Sequence, residues 1–311
     1  MTVSDAQQTA PSRLIAWLTS PYLFMSLAML CWSGNWLLGR AMHTSIGPIT
    51  LNLLRWGGAA LVLLPFTARG LWAARAEIVA RWRILLVLGV LGSALYQGLV
   101  YMALNYTTAI NAALFNTTAP MVVVGLSWLI TRERITRRQG LGIALSLVGV
   151  LIIVTRGDLA VLLKIHFNPG DLLALASVPV WGLYTVLLQR RPTGMSPLVF
   201  LTCLSLVGTA ALSPFFVWEY QVRGAPEWGV GTIVTVIYVA LVASVIAYIL
   251  WNNAVPRVGA NKAGPFLHLH PVFTTVLAML FLGEVLHLYH VAGMALIALG
   301  IWLTATGGRR E

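Results

Sequence analysis

Polar and charged residues in this chain fall in short gaps between long apolar runs. A helix that crosses a bilayer needs about 20 mostly apolar residues. Ten runs meet that length: 22–42, 46–66, 83–104, 107–130, 136–155, 171–190, 197–217, 229–252, 259–281 and 287–306. The longer gaps are 67–82, 156–170 and 218–228. The pattern predicts an all-α integral membrane protein of ten transmembrane helices.

The runs repeat. Residues 103–133 read ALNYTTAINAALFNTTAPMVVVGLSWLITRE, and residues 254–284 read AVPRVGANKAGPFLHLHPVFTTVLAMLFLGE. At an offset of 151, Ala103 falls on Ala254, Ala109 on Ala260, Ala112 on Ala263, Pro120 on Pro271 and Glu133 on Glu284. The register continues through Gly142/Gly293, Gly149/Gly300 and Thr155/Thr306. A repeat fixes the architecture before any residue-level reading. The segments are a polar tail 1–21, a first five-helix repeat 22–156, a connecting loop 157–170, a second repeat 171–306 and a tail 307–311.

Five helices per half is odd, so the second half enters the membrane from the opposite side. The charges agree. With a cytoplasmic N-terminus, cytoplasmic segments carry 14 Lys and Arg residues, including Arg69, Arg75, Arg81, Arg83, Arg132, Arg134, Arg137 and Arg138. Outer loops carry four: Arg40, Arg156, Lys164 and Arg223. Positive charge marks cytoplasmic loops. Both tails are therefore expected in the cytoplasm. An inverted repeat places a binding site at its interface near the midplane, so a central cavity is expected.

Composition narrows the class. The chain has 311 residues, 59% hydrophobic and only 9% charged, with mean hydropathy +0.84. A soluble domain is about 25% charged, so the solvent here is lipid. The net charge of +11 sits in the loops and sets topology, so no nucleic-acid partner is expected. Cys31 and Cys203 lie inside apolar runs and imply neither a disulfide framework nor a metal cluster. The apolar stretch after Arg13 is too short for a signal core, so no cleaved signal is expected.

Two five-helix halves, each with an Ala…Ala…Pro…Glu pattern across its fourth helix, resemble the drug/metabolite transporter superfamily. The resemblance is to its EamA-type branch, and within that to the YddG-like amino-acid exporters. It implies a central cavity, alternating access, efflux from the cytoplasm and a bacterial inner-membrane location. Smaller relatives hold cationic drugs on an acid in the first helix; residues 23–38 of this chain contain no Asp or Glu.

Candidate chemistry follows from polar residues at depth, which face protein or water and not lipid. Pro120 and Pro271 cannot donate a backbone bond and are expected to kink helices 4 and 9. Trp36, Tyr96, Tyr101, Trp181, Tyr184 and Tyr248 are the expected aromatic walls of the cavity, with Trp32 as the partner of Trp181. Asn116, Ser244, Lys262 and His268 are the expected polar contacts, and Gln97, Asn111, Asn252, Arg55 and His270 are further polar groups in the same runs. His268→Ala is expected to leave folding intact and impair transport. No acid lies clearly mid-helix, which disfavours a cationic substrate. Glu133 and Glu284 end their helices, where a helix-start contact or a proton-coupling role is open.

No HExxH, no GxSxG and no carboxylate pair is present, so an enzyme is not expected. His287 and His290 lie at the far end of helix 10 from His268 and His270, which leaves no metal site, and no cofactor is expected. No TVGYG-like filter or acidic ring marks a channel. The reading is an exporter of small neutral or zwitterionic metabolites, neutral or aromatic amino acids above all. It is expected to work as a monomer with a small-molecule substrate and the lipid bilayer as partners. The alternative is a proton-coupled antiporter of cationic drugs.

Overall fold

The computed structural model describes residues 18–107, 112, 115–158, 168–282 and 285–307, without the side chains of 278, 281 and 282. Asn111, Glu284, nearly all of both tails and most of the loop 157–170 lie outside the described residues. No strand occurs among the described residues. The helices are α1 (Pro21–Ala41), α2 (Pro48–Ala73), α3 (Trp82–Tyr106), α4 (Ala119–Thr131), α5 (Arg137–Val154), α6 (Pro169–Arg190), α7 (Pro197–Arg223), α8 (Val230–Val258), α9 (Leu269–Leu282) and α10 (Leu288–Thr306). Seven of them, α2, α3, α5, α6, α7, α8 and α10, are both long and apolar enough to cross a membrane.

Local chemistry sets the boundaries. Pro21, Pro48, Pro169 and Pro197 open α1, α2, α6 and α7 from the first turn, where a missing N–H costs nothing. Thr136 and Gln139 form a capping box at α5, and Asn168 and Asp171 form one at α6. Gly259, at φ 86°, ends α8 in the left-handed region that a side chain resists.

Two expectations change. Runs 107–130 and 259–281 are not continuous helices. Thr117 and Thr118 turn before α4 begins, and α9 is preceded by a one-turn helix, Ala260–Ala263, and a 3₁₀ turn, Gly264–His268. Pro120 and Pro271 therefore sit in the first turns of α4 and α9, and neither bends a continuous helix. Their missing donors fall where an α-helix has no partner to offer anyway. The helix expected over 46–66 runs on to Ala73, and the one over 197–217 to Arg223.

Positions 151 apart behave alike. α3 contains a π-helical segment, Val90–Leu95, and α8 contains another, Leu241–Ile246, each six residues long. A π segment inserts a residue into the helical register and spoils the regular backbone ladder, leaving carbonyls for other donors. Gly92 O accepts from the Tyr248 hydroxyl at 2.6 Å, and the equivalent Ala243 O accepts from the Trp32 indole at 2.8 Å. α2 joins both segments: Asn52 donates to Ser93 O and Ala94 O, and Arg55 to Ala243 O.

α5 and α10 pack antiparallel through glycine. A Cβ on Gly149 would stand 2.6 Å from Gly293 O, and a Cβ on Gly293 would stand 2.6 Å from Gly149 O. Seven residues along, Gly142 faces Gly300 and Thr304 in the same way. Lipid gives apolar side chains no reason to prefer each other, so helix association relies on such close backbone approach.

Loop contacts define two ends. At one end, the Gly194 N–H donates to Glu77, Arg190 to Ile130 O, Thr136 to Gly307 O and Arg257 to Thr19 O. At the other, Arg40 donates to Leu104 O, Arg223 to Asn105 and the Glu227 N–H to Ser45 O. At that second end Glu219, buried, accepts from the Ile49 and Thr50 N–H groups and the Thr50 hydroxyl, satisfying the first turn of α2.

Candidate functional site

The two halves meet at a small cavity lined by Met29, Trp32, Trp36, Tyr96, Gln97, Asn116, Trp181, Tyr248, Leu267 and His270. Its volume is about 20 Å³, the room of roughly one water. The lining follows the repeat. Gln97 and Tyr248 are 151 positions apart, as are Asn116 and Leu267, and Trp32 and Trp181 are 149 apart. The cavity thus lies where equivalent positions face one another.

Aromatic rings make most of its wall. Trp32 and Trp181 meet edge to face with centroids 5.1 Å apart. Tyr248 stands edge-on to Trp32 at 5.3 Å, and Tyr96 tilts over Trp181 at 4.7 Å. Trp36 packs on the His270 ring at 4.7 Å. Such pairs contribute about 0.5–1.5 kcal/mol each beyond area burial, so the wall is stiff.

The polar part of the lining is incomplete. Gln97 Nε2, Asn116 Oδ1, Trp181 Nε1 and His270 Nε2 are buried and have no hydrogen-bond partner. A buried polar group left unpaired costs about 1–3 kcal/mol. These four polar groups surround one space.

Behind the Tyr248 wall lies Arg55, fully buried. Its Nε donates to Ser244 Oγ at 2.6 Å, and its terminal nitrogens donate to Ala243 O at 3.0 Å and Asn35 Oδ1 at 3.4 Å. Its Cζ lies 5.8 Å from the Tyr248 ring centroid and 5.4 Å from that of Trp56.

Of the residues singled out from sequence, Trp32, Trp36, Tyr96, Gln97, Asn116, Trp181, Tyr248 and His270 line the cavity. Tyr101 and Tyr184 stand behind it, bonded to Asn35 at 2.5 Å and Asn252 at 2.6 Å, with Tyr184 packed on Trp181. Ser244 holds Arg55 and is not part of this lining. Lys262 sits half-buried on the one-turn helix before α9, away from the lining. His268 is buried outside the cavity: its Nε2 is 2.9 Å from Thr117 O, and its Nδ1 is 2.7 Å from Ser146 Oγ. Glu133 accepts from Ser127 and, at 3.4 Å, from Asn261 of the other half. Among the described residues no three His, Cys, Asp or Glu side chains gather as a metal site.

Two lining residues, Met29 and Leu267, were outside the expected set. The repeat carries a signal for Leu267, the equivalent of Asn116. Met29 has no such mark.

Seven helices fit to cross a membrane, with an aromatic cavity where the two halves meet, make this a membrane protein. The chain belongs to the EamA-like transporter family, whose model matches residues 19–155 and again residues 168–306. It is similar to the uncharacterized transporter YyaM of Bacillus subtilis, 28% identical over 71% of this chain and 72% of that protein. An uncharacterized transporter of Archaeoglobus fulgidus is also 28% identical, over 91% of this chain and 96% of that one. The probable terminal-alkyne amino-acid exporter of Streptantibioticus cattleyicolor is 29% identical over 72% of this chain and 74% of its own length. A solved crystal structure matches with a TM-score of 0.70 at 20% identity, covering 91% of this chain and 95% of that one, a likeness of fold alone.

Proposed function

We propose that this chain exports small zwitterionic metabolites, neutral or aromatic amino acids in particular, by alternating access. The observation that carries the reading is the cavity: aromatic rings around four unpaired polar atoms, with no acid in the lining. Aromatic walls suit an apolar side chain. The N–H groups of Trp181 and Gln97 suit a carboxylate, and Asn116 Oδ1 suits an ammonium group. A cationic drug would find no counter-ion there. The relative described as a probable amino-acid exporter points the same way.

The proposal includes ten spanning helices in two inverted halves, 22–156 and 171–306, joined by 157–170 and flanked by tails 1–21 and 307–311. Antiparallel packing of α5 on α10, π segments at matching positions, and two family matches in tandem support it. In alternating access the cavity opens to each side in turn, and its volume of about 20 Å³ fits a closed state too small for an amino acid. Both tails are placed in the cytoplasm of a bacterial cell, in the inner membrane. Exposed Trp72, Trp82, Trp128 and Trp302 each carry an Arg against the ring at one end, as a cytoplasmic interface would. Exposed Trp218 and Trp228 mark the other. The working unit is taken as a monomer.

Counterflow in liposomes tests the reading. Vesicles holding the purified protein are loaded with mixed neutral amino acids and given a labelled one outside, with and without a pH gradient. Accelerated, pH-insensitive exchange is expected. pH-driven movement of a lipophilic cation without amino-acid exchange would replace this reading with a drug antiporter.

A further inference from the structure

Arg55 poses a charge problem that the fold leaves unsolved. It lies two turns into α2, inside the apolar stretch, and is fully buried. A guanidinium does not shed its proton in a protein, and an unpaired charge at membrane depth is costly enough to mark function. Yet every group that Arg55 bonds is neutral: the Ser244 hydroxyl, the Ala243 carbonyl and the Asn35 amide oxygen. The bonded acids among the described residues sit near helix ends: Glu77 on Gly194, Glu133 on Ser127, Asp171 on Thr107, Glu219 on the first turn of α2. None of them bonds Arg55.

The guanidinium is one ring away from the cavity. Tyr248 lines the cavity, and its centroid is 5.8 Å from Arg55 Cζ. The Tyr248 hydroxyl donates to Gly92 O, in the π segment of the opposite half, and its ring packs on Trp32, Trp56, Trp181 and Tyr184. Asn35, the weakest partner of Arg55 at 3.4 Å, is already taken by the Tyr101 hydroxyl. The donors of Arg55 rest on neutral acceptors, and the Tyr248 ring stands between the guanidinium and the cavity.

We infer that Arg55 is the anchor for the substrate's carboxylate once the cavity opens. A carboxylate carries one negative charge and takes two parallel N–H···O bonds from a guanidinium. A phosphoryl group with about two charges would be half compensated by a single guanidinium. The inference rests on the exporter reading and narrows it: the transported molecule bears a free carboxylate, and capping that group abolishes recognition.

The test uses the full chain in liposomes and compares phenylalanine, its carboxamide and 3-phenylpropionate, which lacks the amine. The wild type should exchange phenylalanine about 100-fold faster than the amide or more, since a site built for a polar group rejects analogues lacking it. Arg55→Gln should lower phenylalanine exchange by about 100-fold and bring acid and amide within about threefold of each other. A structural role alone would slow both without changing their ratio. Arg55→Lys keeps the charge but loses the fork, and should keep the acid preference at weaker apparent affinity. The inference is overturned if the wild type moves the amide as well as the acid, a result that needs no variant to fold. It is also overturned if folded Arg55→Gln keeps the full acid preference. Exchange of 3-phenylpropionate but not phenylalanine would remove the amino-acid reading and leave Arg55 as the anchor. Exchange of lipophilic cations alone would end both.

Discussion

Tyr101 donates its phenolic proton to Asn35 Oδ1 at 2.5 Å. The second half makes the same bond with the residue types exchanged. There Tyr184, 149 positions after Asn35, donates to Asn252, 151 positions after Tyr101, at 2.6 Å. What both halves keep is a bond tying the first helix to the third, and not the side on which the ring stands.

The exchange has a steric condition. The Tyr184 ring fills space that Gly92 leaves open, since a Cβ there would fall 2.5 Å from the ring. The equivalent of Gly92 is Ala243, which has a methyl group. Tyr101→Phe should cost about 1–2 kcal/mol in stability. The exchanged pair, Asn35→Tyr with Tyr101→Asn, should stay destabilised. Adding Ala243→Gly should recover half of the loss or more, measured as melting temperature in detergent. No recovery would show that the matching bonds do not rest on matching space.

The α5–α10 seam predicts a contrast between glycines. Gly149→Ala drives a methyl into the Gly293 carbonyl, 2.6 Å away. Overpacking of this kind costs about 1–3 kcal/mol. Gly125→Ala meets nothing within 4 Å and lies inside α4, so it should be neutral or stabilise by up to about 1 kcal/mol. Equal effects at the two sites would mean that the seam is looser than its backbone spacing.

Trp181 offers both a ring and an unpaired N–H to the cavity. Trp181→Phe keeps an aromatic wall and removes the donor. It should raise the half-saturation concentration for exchange by about 5–10-fold, as the loss of one hydrogen bond does, with a smaller change in maximal rate. Trp181→Ala should abolish exchange. Normal kinetics in Trp181→Phe would take this N–H out of the binding site.

His268 calls for a different expectation from the one its sequence context suggests. It lies outside the cavity and joins the halves. The Thr117 carbonyl can only accept, so Nε2 carries the proton, and Nδ1 faces the Ser146 hydroxyl. His268→Ala should destabilise by about 2–4 kcal/mol, through the loss of its two hydrogen bonds and a void. The folded fraction that remains should bind substrate with ordinary affinity. A stable variant with weakened binding would return His268 to the site.

The helices and their pairing were legible because lipid enforces them. Apolar length gives most of the spans, and the offset of 151 gives the correspondence between halves. The breaks before α4 and α9 were half legible. Pro120 and Pro271 mark the places, but the same residue bends one helix or opens another, and the turn at Thr117 decides which. The cavity wall was legible wherever an aromatic or amide stood out in an apolar run, as with Trp181, Tyr248 and Asn116. Leu267 and Met29 look like every other apolar residue around them. Arg55 was visible as a charge, but its neutral surroundings depend on three helices, α1, α2 and α8, arriving together, which no local pattern records.

The π segments Val90–Leu95 and Leu241–Ile246 also date themselves. An extra residue lodged at the same place in both halves is most simply inherited once, before the gene doubled. In both halves the irregularity leaves a carbonyl for a neighbour to satisfy. Today that neighbour belongs to the opposite half, as Tyr248 serves Gly92 and Trp32 serves Ala243. Each irregularity is thus satisfied across the seam between the halves, by a different residue type in each case, so neither half completes its own backbone without the other.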